Sequence, residues 1–255
     1  MTPFVRYDSV VRQIWGASDT ILFIFAGSAA EFALNKSVDW LYFTGRLPRD
    51  PIGRLFSTVE YARRIVFASQ QDAHAAIDQI TKIHRGVEQA RGSVIPPEAY
   101  RDVLYMLIHY SIAAYELLRR RLTDTEKAEV YDVFFRMGMR MDIPALPASY
   151  AHWLLDRELH MEQDLVRSRL TVDLFLQYKK HLGAYRYRVL VEAQKLVVPL
   201  RVKLLMGFSR IAWLWPAVPL YMVCRQLGVH QLIRRLLLPV AHRAAIDRLD
   251  IVPDH

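Results

Sequence analysis

The stretch Asp50-Pro51-Ile52-Gly53-Arg54-Leu55-Phe56-Ser57-Thr58 decides how the chain is read. An aspartate followed by proline is a strong helix start. The carboxylate accepts from free N–H groups of the first turn, and proline at the first helical position gives up an N–H that no helical bond would use. Residues four apart stack on a helix, so Arg54 and Thr58 share a face, which Tyr61, Ala62 and Ile65 continue. One helix later, Ile77, Ile80, His84 and Val87 fall at i, i+3, i+7 and i+10, a single stripe. A histidine is thereby set among aliphatic side chains, on the helix after an arginine and a hydroxyl.

Working outward, short apolar runs separated by polar caps and prolines predict helices throughout. A short one is expected at 4–15 and a long one at 19–45, bulky with Phe23, Phe25, Phe32, Trp40 and Tyr42. The Asp50 helix should reach about 68. Ser69-Gln70-Gln71-Asp72 then starts one to about 91. After the break at Gly92–Pro97 a helix runs to about 121; from Val103 to Leu118 it is apolar nearly all round, which marks it as central. Thr123-Asp124-Thr125-Glu126 is a capping box for a helix to about 141. Ser149 caps one over 150–165. Helices at 170–181 and 184–205 and proline-punctuated ones to about 248 complete the chain. There is no strand alternation, hairpin signal or internal repeat. The fold expected is all-α, a single domain over 1–255, with Asp250–His255 frayed.

Composition bounds the function. The chain has 255 residues, 53% of them hydrophobic, enough for a packed core. The net charge of +8 favours anionic partners without choosing among nucleic acid, acidic lipid or an anionic cofactor. Cys224 is the only cysteine, which excludes an intramolecular disulfide and a Cys-x-x-Cys-His attachment site. The amino terminus lacks the basic-then-apolar pattern of a secretory signal. The longest uncharged run, Ile211–Cys224, has fourteen residues and is broken by Pro216 and Pro219, whereas a membrane span needs roughly 20. It reads as a buried helix pair or, with Trp213, Trp215 and Tyr221 beside Arg210 and Arg225, as a membrane-surface segment.

Several residues could carry chemistry, each with a plainer reading beside it. His84 is a satisfied core histidine or, as a neutral imidazole, a metal ligand. His109 lies on the most apolar helix, where an unpaired imidazole is costly. It is a ligand, a polar group near one, or hydrogen-bonded to a neighbouring helix. Arg54 is a surface arginine with its stem along the helix, or a cation that meets an anionic ligand. His152, Asp156, His160 and Asp164, spaced by four, form a helix ridge that is a metal site or a solvated face. Arg119-Arg120-Arg121 complements the end of the central helix dipole. No nucleic-acid module, zincin, di-iron, Walker, Rossmann or nucleophile-elbow motif is present.

Taken in order, Asp50-Pro51-x-x-Arg54-x-x-x-Thr58, His84-x-x-Val87, Arg120-x-Leu122-Thr123-x-x-Glu126, Gly138-x-Arg140-Met141-x-Ile143-Pro144 and Pro147-Ala148-Ser149 resemble the MpaB-like oxygenases. That family includes the latex-clearing rubber oxygenases and the fungal enzyme that cleaves the farnesyl chain in mycophenolic acid biosynthesis. The resemblance covers about 20–205 and leaves 206–255 as apolar, basic carboxy-terminal helices. It implies a distantly globin-like fold enclosing a haem pocket, with haem b as cofactor and its iron held by His84; His109 falls where many members have a second histidine near the cofactor. Arg54 and Thr58 match the family's pocket arginine and threonine, the candidate catalytic pair. Dioxygen and a small apolar substrate, isoprenoid in the family, are the implied reactants, with oxidative C=C cleavage as the reaction. Ser57 stands where the rubber-cleaving branch has a lysine, and Trp40–Gly45 departs from the family text. The chain is expected in the cytoplasm or peripheral to a membrane, without the amino-terminal anchor of the fungal relatives. The other class left open is a non-catalytic haem- or lipid-binding helical protein.

Overall fold

A computed structural model of the chain describes residues 2–45 and 49–226. Among these residues there are helices and no β-strand; Pro3–Ser69 and Asn35–Leu165 make isolated antiparallel bridges. The helices are α1 (Val10–Trp15), α2 (Ser18–Phe32), α3 (Asp39–Phe43), α4 (Pro51–Val66), α5 (Gln70–Arg91), α6 (Pro97–Leu118), α7 (Asp124–Arg140), α8 (Tyr150–Asp164), α9 (Arg169–Val197), α10 (Leu200–Met206) and α11 (Ala217–Gln226).

The apolar-all-round helix is central, as its composition demands. α6 packs on α2 and α7, with α8 and α9 also against it. The approach of α2 is close because position 27 is glycine: a Cβ there would lie 2.3 Å from the Tyr110 ring. A buried ion pair fixes the register of three helices. Arg157 of α8 donates to both carboxylate oxygens of Glu31 on α2, at 3.0 and 2.8 Å, and the Tyr110 hydroxyl of α6 donates to the same carboxylate at 2.7 Å. Losing one partner of such a pair leaves an uncompensated charge in low dielectric, so the three elements hold together or not at all.

Some expectations need correction. The helix expected over 19–45 stops at Phe32. Asn35 turns the chain: its side-chain oxygen accepts from Ser37 N–H at 2.8 Å, a 3₁₀ turn covers Lys36–Val38, and α3 is a separate short helix. The break expected between 181 and 184 is real and sits at Gly183, with φ +74°; the helix after it ends at Val197, before Pro199, rather than at 205. α4 packs on α5, and the main neighbours of α6 are α2 and α7. The helices expected beyond α11, to about 248, lie outside the described residues.

Candidate functional site

α4 begins as its sequence requires. Asp50 Oδ1 accepts from Gly53 N–H at 2.8 Å, with Pro51 in the first turn. A Cβ at position 53 would meet Asp50 Oδ2 at 2.0 Å, so glycine is what lets the cap fold back over the helix. One turn on, Arg54 Nη1 donates to Thr58 Oγ1 at 2.8 Å and to Ser57 Oγ at 3.2 Å. Both hydroxyls donate in turn to the Arg54 carbonyl, at 3.2 and 2.8 Å. The three side chains are half-buried and form one unit. Ser57 thus steers the guanidinium.

His84 lies on the inward stripe of α5 with Ile77 and Ile80, half-buried. Its ring stands edge-on to Tyr100 at 5.1 Å. Nδ1 is shielded from solvent and has no hydrogen-bond partner among the described residues. Burial, reinforced by the positive charge of Arg54 and opposed by Glu88, lowers its pKa from 6.5 to about 4. The imidazole is therefore neutral at pH 7, and the arginine of α4 acts on the histidine of α5.

Beside His84 a cleft of about 240 Å³ runs between α5, the start of α6 and the turn after α7. Thr81, Ile95, Tyr100, Met141, Ile143 and Pro144 contribute to its walls. Met141, Ile143 and Pro144 come from the Gly138–Pro144 motif, which the fold brings to the histidine. Arg140 helps to hold that turn in place, donating to both oxygens of Asp78 on α5 at 2.8 and 2.6 Å. Asp142 and Ala145 adopt φ +56° in it, a left-handed backbone that costs non-glycine residues about 1 kcal/mol or more. Tyr100 and Glu88 escaped the sequence reading. Glu88 accepts from Ile95 N–H at 2.9 Å and from the Tyr100 hydroxyl at 3.3 Å, closing the end of the cleft. The Pro-flanked loop between two long helices was the available signal.

His109 sits on α6 with its ring edge-on to Tyr110 at 4.9 Å. Its Nε2 is buried and unpartnered among the described residues. Burial first, and then the charge of Arg157, push its pKa well below the ordinary value. His109 and Ala113, one turn apart, are half-buried in a stretch that is otherwise mostly buried.

The ridge on α8 is not the solvated face it resembled, and it does not act as one set. His152 stays exposed at the helix start, its Nδ1 3.2 Å from Ser149 Oγ. His160 is buried, with Nδ1 2.6 Å from Asp102 Oδ1 and 3.2 Å from Asp164 Oδ2. Asp102 belongs to α6 and also accepts from Asn35 Nδ2 at 2.6 Å, while Tyr105 donates to Asp156. Burial disfavours the charged ring, but the hydrogen bond and charge of Asp102, with the charge of Asp156, outweigh it and raise the His160 pKa. Asp102, His160 and Asp164 could ligate a cation, but as they stand they satisfy one another. The arginine run is structural too. Arg119 donates to both oxygens of Asp19 at 2.7 and 2.9 Å, and Arg120 pairs with Glu126 at 2.6 Å beside the Thr123 capping box.

The donor chemistry at His84 and His109 fits an iron porphyrin. Each is a neutral imidazole with a buried ring nitrogen, Nδ1 of His84 and Nε2 of His109, that has no partner among the described residues, a defect worth about 1–3 kcal/mol that a metal bond at that nitrogen would offset. The cleft alone does not enclose a macrocycle, being smaller than the roughly 300–1,000 Å³ of pockets that bury a small molecule.

Searches of curated proteins and of solved structures returned no significant match. A family model described as "ER-bound oxygenase mpaB/B'/Rubber oxygenase, catalytic domain" matches residues 15–247, running past residue 205 into the carboxy-terminal segment. With that match over nearly its whole length, the chain belongs to the mpaB/rubber oxygenase catalytic-domain family.

Proposed function

We propose that this protein is a haem b-dependent oxygenase that uses dioxygen to cleave a C=C bond in an apolar, isoprenoid-type substrate. The observation that carries the reading is His84: a neutral imidazole with a buried nitrogen unmatched among the described residues, held neutral in part by the arginine that the family pattern places in the pocket. His84 would hold the iron. Because its proton is already lost at pH 7, no proton has to be displaced for a metal to bind. Arg54, with its guanidinium aimed by Ser57 and Thr58, would neutralise a propionate or meet a polar reactant near Thr58. His109 would supply a second imidazole from the central helix. The bound haem supplies the oxygen chemistry, and the protein supplies position, charge and a dry wall. Ile95, Met141, Ile143 and Pro144 give the wall an apolar side, beside the charged Arg85, Glu88 and Asp142, and that side suits a prenyl chain.

No helix among the described residues is long and apolar enough to cross a membrane. The purified, haem-reconstituted protein tests the proposal directly. A Soret band together with oxygen consumption in the presence of a prenyl substrate supports it. A Soret band without turnover reduces it to haem binding, and a protein that takes up no haem sinks it.

A further inference from the structure

The charge of the chain is segregated. Residues 193–246, between Glu192 and Asp247, contain no Asp or Glu and eight Lys or Arg, equal to the whole net charge of +8; the rest of the chain carries 26 residues of each sign. This acid-free stretch includes α10 and the loop that follows it, and the structure turns their apolar side chains outward.

The loop is pinned from within. The buried carboxylate of Glu192 accepts from Trp213 N–H at 2.8 Å and from Lys195 Nζ, and Lys195 Nζ also donates to Ser209 Oγ at 2.9 Å. Ala212 is buried, while Ile211, Trp213 and Trp215 are 80%, 58% and 64% exposed. On α10, Val202 faces the core with no exposed surface, and Leu200 and Leu204 on the opposite side are 66% and 64% exposed beside the exposed Arg201. Single exposed apolar residues are ordinary on a protein surface. Five large ones within sixteen residues, two of them indoles, interspersed with Arg201, Lys203 and Arg210 and no carboxylate, are not. Indole rings settle at the boundary between headgroups and acyl chains, and cations are held there by anionic lipid.

We infer that the outward face of α10 and the 208–216 loop docks this protein on anionic bilayers, with Leu200, Leu204, Ile211, Trp213 and Trp215 entering the headgroup–acyl boundary and Arg201 and Arg210 meeting acidic headgroups. Charge complementarity selects a lipid surface over an apolar groove in another protein, since the same face carries both the apolar side chains and positive charge that no carboxylate in the stretch balances. The inference is independent of haem.

The full chain is sedimented with phosphatidylcholine vesicles and with vesicles that also contain phosphatidylserine, at low and high salt. Binding to the anionic vesicles alone, weakened by salt, is expected. Arg201→Gln with Arg210→Gln should lower partitioning roughly 30-fold, two cations' worth of surface attraction. Trp213→Ala with Trp215→Ala should also release the protein, with helical circular dichroism unchanged. Should either double variant fold poorly, brominated acyl chains report on the parent: quenching of the exposed Trp213 and Trp215 is expected, since Trp15 and Trp153 are fully buried and Trp40 is half-buried under the Arg91 guanidinium. Absence of binding at low salt overturns the inference, as does equal binding by parent and both double variants. A parent that ignores vesicles but is dimeric until Trp213 and Trp215 are removed would make the face an interface between copies and overturn it as well.

Discussion

His84 and His160 are two histidines on long helices, each spaced for an inward face, and the protein treats them in opposite ways. His84 keeps a buried nitrogen without a partner among the described residues and, through burial and the charge of Arg54, a pKa lowered to about 4. His160 is gripped by Asp102 and Asp164, and the carboxylates raise its pKa. A fold completes the second as a strut and leaves the first with an unfilled bond. The difference separates a residue whose hydrogen bonds are met within the fold from one with a buried nitrogen left over. On the function proposed above, the working end of the bundle is at α4, α5 and the turn after α7.

The largest effect that sharpens this contrast is expected at His84. His84→Ala should remove the haem spectrum of the reconstituted protein while leaving helical circular dichroism intact, and it should erase any haem-dependent rise in melting temperature. His109→Ala should shift the spectrum less. The reverse order would exchange the two ligand assignments.

Next comes the strut. Asp102→Ala leaves His160 short of its closest partner and Asn35 without its acceptor, so unfolding in denaturant should lose about 3 kcal/mol, the cost of breaking a buried pair. Haem titration should be far less affected than by the His84 change. Comparable effects on both readouts would erase the distinction between strut and ligand.

The same pair has a pH signature. His160 faces Asp102, Asp156 and Asp164, with Arg101 opposing them. Its raised pKa means that the folded state holds the proton more tightly than the unfolded state. That stabilisation is fully present below about pH 6.5 and is lost as pH rises through the folded value. Parent and His160→Gln should therefore differ most in denaturation midpoint near pH 6 and converge on the alkaline side. A gap that widens with pH would reverse the charge assignment.

A smaller effect is expected at Arg54. Arg54→Ala should weaken haem retention by roughly 1.5–3 kcal/mol if a charge-assisted bond to a propionate is lost, with little change in unfolding. Equal haem affinity in mutant and parent would remove Arg54 from the pocket. Smallest is the cap: Asp50→Ala should cost about 1 kcal/mol of stability, read in a denaturant titration. It should touch haem binding only by loosening the turn that presents Arg54.

How much of this could be read beforehand follows from where each contact lies along the chain. The Asp50 cap, the Arg54–Thr58 face and the Ile77–Val87 stripe are legible because their partners lie within a few residues, at spacings that helical geometry fixes. The centrality of α6 follows from its apolar circumference. The end of α2 at Phe32 was not legible. Asn35 leaves the helix to cap Ser37 and to reach Asp102, 67 residues away. Nor could the ridge on α8 be called buried, because the residue that buries and charges His160 is Asp102, 58 positions earlier.

The sequence by itself determined most of the helices and their caps, the central segment, the spacing of Arg54, Thr58 and His84, and the segregation of positive charge toward the carboxy terminus. These depend on local spacing or on composition, and both are properties of the chain. Tertiary structure decided which histidine is saturated and which is not. It brought Met141, Ile143 and Pro144 to the cleft beside His84, and it turned Trp213 and Trp215 outward by fastening their loop to Glu192. The physical reason is the same in each case. Protonation, hydrogen-bond satisfaction and exposure are set by what comes within a few ångströms in space, and pairing residues distant in sequence is the part of folding that no local pattern encodes.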